Sequence, residues 1–124
     1  MRTSFLLQSA LLATLVSGCA SWMPVRSGGT FVYFDTSKDK IATNRKPADI
    51  RTSDAIPAKQ RIIGLVEAVS LGPKEKEAEI KAKLYNELRE QAAAMNATGI
   101  TDIQTQWYDH DGPALHAIAK AYGP

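Results

Sequence analysis

The residues that could do chemistry in this chain are few. Cys19 is its single cysteine, so no intrachain disulfide can form and the thiol needs another role. Its two histidines both lie near the carboxyl end: His110 between Asp109 and Asp111, and His116 shortly after. Imidazole and carboxylate side chains together suit zinc or copper, so His110, His116, Asp109 and Asp111 form one candidate metal set. The same stretch, Asp109-His110-Asp111-Gly112-Pro113, is equally the composition of a solvated hairpin turn, with His116 exposed beside Lys120. The turn account requires no convergence of side chains and is the simpler one.

The surroundings of Cys19 are more specific. Met1-Arg2-Thr3-Ser4 is a short segment with one positive charge, and an apolar run through Leu6, Leu7, Leu11, Leu12, Leu15 and Val16 follows. That run is too short to span a hydrocarbon layer of ~30 Å and reads as a cleaved secretion signal. The segment Leu15-Val16-Ser17-Gly18-Cys19 resembles the lipobox of bacterial lipoprotein precursors. The resemblance implies cleavage between Gly18 and Cys19, diacylglycerol on the Cys19 sulfur and an acyl chain on the freed amine. Two or three chains make attachment lasting, because one acyl chain anchors only marginally. Ala20 and Ser21 follow the cysteine with no aspartate, which by the same resemblance implies the periplasmic face of the outer membrane.

Other chemistries lack their residues. Ser21, Ser27, Ser37, Ser53 and Ser70 fall in loops or at strand ends without a nucleophile-elbow pattern. Gly28-Gly29 lacks the following helix and lysine of a phosphate loop. Fifteen basic residues against thirteen acidic ones leave no basic field for nucleic acid. The reading is a non-enzymatic chain without cofactor beyond its covalent lipid.

The elements that must position these residues follow from periodicity. Residues 19–29 contain Pro24, Ser27, Gly28 and Gly29 and no apolar repeat, the composition of a tether. The single domain is expected over 30–124. Thr30–Phe34 is β-branched and aromatic, Asp49–Ser53 is a short edge strand, and Gln60–Val69 alternates Ile63, Leu65 and Val69 against Ile62, Val66 and Ala68. Gly64 within that run marks a bulge or a close backbone approach. Lys74–Met95 repeats Ile80, Leu84, Leu88, Ala92 and Met95 at helical spacing, and Asn96 suits a left-handed cap.

Gly99–Tyr108 and Ala114–Tyr122 form a final hairpin whose Leu115, Ala117, Ala119 and Ala121 offer a small-residue face to the helix. The fold expected is α+β, in the order β-β-β-α-β-β, with one amphipathic helix on a mostly antiparallel sheet. Apolar residues on both faces of Gln60–Val69 imply a central position or an oligomer contact, and the apolar faces around Val66 and Ile118 suggest a homo-oligomer.

Three segments carry a further likeness: Ile50–Ser53, Ile56-Pro57 through Ile63-Gly64-Leu65-Val66, and Leu88 through Ala92-Ala93-Ala94-Met95-Asn96-Ala97-Thr98-Gly99-Ile100. Over residues 49–122 the chain resembles the YbjQ/RcsF-like group of small α/β domains. Asn96 stands where the group has glycine, an exchange between two residues that accept positive φ. The disulfides and ligand cysteines linked to the group's signalling and heavy-metal associations have no counterpart here. The function expected is a membrane-anchored periplasmic lipoprotein acting as a protein interaction module in stress sensing, assembly or envelope homeostasis. The alternative is a periplasmic metal-binding module built on His110 and His116.

Overall fold

Among the described residues, alternation in four segments and a 3.6-residue repeat in one produce a five-stranded sheet with one α-helix on one face. The computed structural model describes residues 23–34, 45–109 and 112–124. Strands β1 (Arg26–Tyr33), β2 (Arg51–Ser53), β3 (Arg61–Leu71), β4 (Gly99–Asp109) and β5 (Pro113–Gly123) lie in the order β1-β3-β5-β4-β2. Three of the four pairings are antiparallel, and the short β2 runs parallel to the start of β4. The expected α+β class and element order are those observed. Gly18, Cys19, His110 and Asp111 lie outside the described residues.

Helix α1 (Glu77–Ala94) follows a 3-10 turn at Lys74–Lys76, which takes up the first residues of the predicted helix. Ile80, Leu84, Leu88 and Ala92 form its fully buried stripe. They pack on Val66 and Ala68 of β3 and on Leu115, Ala117, Ala119 and Ala121 of β5, where the alanines let the helix approach closely. The helix ends as expected. Asn96 takes φ 59°, its N–H donates to the Ala93 carbonyl at 3.0 Å, and the Ala97 N–H reaches the Ala92 carbonyl at 2.9 Å. This pair of bonds satisfies carbonyls that the helix leaves open at its last turn.

Three expectations are corrected. Arg26 to Gly29 belong to β1 rather than to the tether, because they pair with Leu71 to Ala68 of β3. The domain therefore begins before residue 30, and Val25 is already in the core. In β3 a register shift between Ile62 and Gly64 turns Ile63 into the core instead of outward with Leu65 and Val69. Gly64 permits this: a Cβ there would run into the Val32 carbonyl and the Met95 methyl group. Val66 is 1% exposed beneath the helix. It is a core residue and cannot serve as the oligomer contact expected of it.

Candidate functional site

Because α1 covers one face only, the alternation of each strand sends a second set of side chains to an uncovered face. Across the strands this outer face carries Val32 of β1, Leu65, Glu67, Val69 and Leu71 of β3, His116, Ile118 and Lys120 of β5, and Gln104, Gln106 and Tyr108 of β4. Ile118, at 43% exposure, is on it, so this half of the expected contact pair is at the surface.

The polar groups of the face are tied to one another. His116 Nε2 lies 2.6 Å from Glu67 Oε1, and Lys120 Nζ lies 2.9 Å from Asp102 Oδ2. The Lys120 hydrogen bond and charge hold the Asp102 carboxyl below the usual aspartate range. The Tyr108 ring meets the His116 ring edge-on at 6.1 Å, and its hydroxyl donates to Gln106 Oε1 at 3.2 Å. Asp102, Gln106, Tyr108, His116 and Lys120 border a hollow between β4 and β5.

Strand parity separates the candidate metal ligands. His116 stands directly opposite Gln106 on the outer face, and Asp109 is three residues beyond Gln106, on the other face of the same strand. Asp109 and His116 are therefore not brought together. Among the described residues no group of three or more His, Cys, Asp or Glu side chains is arranged to hold a metal.

At the far end of the outer face, Tyr122 is 1% exposed. Its hydroxyl lies 2.8 Å from Ser53 Oγ, which places the start of the β2–β3 connection over that corner. Elsewhere on the face, among the described residues, Val32, Val69, Leu71, Tyr108 and Ile118 are exposed.

Among the described residues the edges of the sheet are β1 on one side and, on the other, β2 and the part of β4 that β2 does not reach. β2 pairs only with Gly99, Ile100 and Thr101. Beyond them Asp102 adopts φ 53° and the register with β5 shifts between Thr101 and Gln104. From there to Asp109, β4 has β5 on one side and, among the described residues, no strand on the other. Sequence reasoning recognised this strand but not its position. The signal that was available is the uncharged run Ile103-Gln104-Thr105-Gln106-Trp107-Tyr108.

Comparison with protein-family models and with curated proteins returned no match. Among solved structures, the chain is similar to the Francisella virulence factor FvfA, crystallised in an orthorhombic form. The TM-score is 0.56 at 14% identity, over 77% of this chain and 97% of that one. The similarity is one of fold. Among the described residues no helix is long and apolar enough to cross a membrane.

Proposed function

We propose that this chain is a lipid-anchored lipoprotein at the periplasmic face of the outer membrane, whose α+β domain is a non-enzymatic interaction module in stress sensing, assembly or envelope homeostasis. The anchor rests on the lipobox at Leu15–Cys19. The interaction role rests on one observation: among the described residues the sheet is covered by a helix on a single face, and neither its other face nor β4 beyond Thr101 has a further element packed on it.

Two further features support the reading. On the outer face Glu67 meets His116 and Asp102 meets Lys120, all four side chains partly exposed, which suits a solvated recognition surface. The end of the tether is also fastened to the domain. Lys76 Nζ donates to the Met23 carbonyl and Lys83 Nζ to the Val25 carbonyl, each at 3.0 Å. Six residue steps separate Cys19 from Val25, so covalent geometry limits the anchor to within ~20 Å of the core. The domain would work close to the membrane surface.

Metabolic labelling with palmitate and membrane fractionation test the proposal. Label should accompany the wild-type chain into the outer membrane, and Cys19→Ser should lose the label and leave the outer-membrane fraction. Equal fractionation of the two chains would refute the anchor.

A further inference from the structure

We infer that the anchored end of the domain rests in the membrane surface, with Met23, Leu71, Trp107 and Tyr108 entering the headgroup region of the leaflet that holds the Cys19 acyl chains. This contact presupposes the lipid anchor proposed above, and adds which end of the domain meets the bilayer and with which side chains.

The strand registers bring these residues to one end. Arg26, Leu71, Ala114 and Tyr108 form a single row across β1, β3, β5 and β4, with only the pair Asp109–Pro113 beyond it. Met23 is held at the same end, because its carbonyl accepts from Lys76 just ahead of α1. The Gly72 N–H donates to the Pro113 carbonyl at 3.3 Å, so the β3–α1 connection meets the β4–β5 hairpin there. Lys74 and Glu77 border a hollow with Trp107 and Tyr108. Met23, Leu71, Trp107 and Tyr108 are each 38% to 47% exposed.

The anchor singles out this end. Other large apolar side chains are exposed too, among them Val32, Phe34 and Ile118. Four residue steps separate Cys19 from Met23, which keeps the lipidated sulfur within ~14 Å of Met23. Val32 stands opposite Leu65, six residues along β3 from Leu71, and so is ~20 Å farther from the anchored end. Laying the outer face flat on the bilayer would bring Ile118 down together with Glu67, His116, Asp102 and Lys120. It would also leave Trp107 out of contact, because Trp107 is opposite Leu115 on the helix-side face. An end-on pose brings Trp107 and Tyr108 to lipid together, from the two faces of one strand.

The side chains suit that interface. Tryptophan and tyrosine rings join an apolar body to a polar handle and settle at headgroup level. A contact of four side chains is weak alone, but the anchor makes it effectively intramolecular. Charge has little part in it: among the described residues at this end, Arg26, Lys74 and Lys76 are matched by Glu75, Glu77 and Asp109. The partner is therefore a phospholipid interface recognised by its depth of polarity, and zwitterionic phosphatidylcholine suffices.

The test uses the full chain, purified from membranes in detergent as the Trp22→Phe variant so that Trp107 is the remaining tryptophan. It is reconstituted into phosphatidylcholine vesicles with bromine on the upper acyl chain. Flotation with the vesicles reports the anchor, and quenching reports the contact. Trp107 emission should shift to the blue and be quenched, with little change on adding phosphatidylglycerol or salt. Leu71→Ser combined with Tyr108→Ser should still float and lose most of the quenching. An Ile118→Trp reporter, in a chain that also carries Trp22→Phe and Trp107→Phe, should escape quenching.

A chain that floats but leaves Trp107 unquenched would overturn the contact and leave the anchor standing, whereas a chain that does not float removes both. Equal quenching of the Ile118→Trp reporter would show a flat pose. A blue shift without quenching that grows with protein density would mark a second copy on the patch. Either result, or quenching that survives the double serine variant, overturns the inference.

Discussion

Gly99 and Tyr122 face one another across β4 and β5, with the tyrosine ring occupying the space where a side chain at position 99 would stand. The contact closes the corner where β2, β4 and β5 meet, and the bond between the Tyr122 and Ser53 hydroxyls ties β2 into it.

Gly99→Ala should therefore destabilise the domain by ~1–3 kcal/mol, the usual cost of forcing a methyl group into a filled space. Besides the ring, the new Cβ would lie 2.7 Å from the Arg51 carbonyl, so β2 as well as Tyr122 would have to move. Tyr122→Phe keeps the ring and loses only the hydroxyl bond, and should cost ~1 kcal/mol. Urea denaturation of both variants checks the ranking, and a larger loss for Tyr122→Phe would contradict it.

Asn96 carries a second prediction. Its left-handed backbone closes α1, and its Oδ1 accepts from Arg45 Nε at 3.0 Å. Asn96→Ala gives up that bond and places a less tolerant residue at positive φ, so it should cost on the order of 1–2 kcal/mol. Asn96→Gly keeps the conformation without strain and should cost less. Thermal melts followed by circular dichroism would order the three chains.

Asp102 supplies the pH dependence. Its carboxyl titrates below the usual aspartate range because Lys120 donates to it and offsets its charge. A depressed carboxylate contributes stability that is present above the unfolded value and disappears as pH falls through the folded one. The site is on the surface, so the contribution is small and sensitive to salt. Carboxyl NMR titration should place the Asp102 midpoint below the ordinary aspartate range, and Lys120→Ala should return it to that range. An unchanged midpoint in Lys120→Ala would remove Lys120 as the cause.

Much of the fold was legible because its signals are local. The stripe Ile80, Leu84, Leu88 and Ala92 defines the helix, Asn96 its end, and the alanine row of β5 the surface it packs on. What depends on nonlocal pairing was not legible. Alternation alone assigned Ile63 to the face of Leu65 and Val69, because a bulge that flips one residue leaves only a glycine as its trace. Gly28-Gly29 read as tether because glycines signal looseness in a sequence, whereas here they lie in a strand paired with Val69 and Ala68.

The surface was legible only in part, for the same reason. Val66 and Ile118 were not separable until the helix was placed on one face, burying the first and leaving the second at the surface. The sequence likewise does not state strand order, so the uncharged run in β4 could not be recognised as an open edge.

Anchoring depends on the fate of Cys19, and the intact mass of the mature product purified from membranes tests it directly. The mature chain should begin at Cys19 and be heavier than its polypeptide by a diacylglycerol and an acyl group. An unmodified thiol, or a chain starting at any other residue, would contradict it.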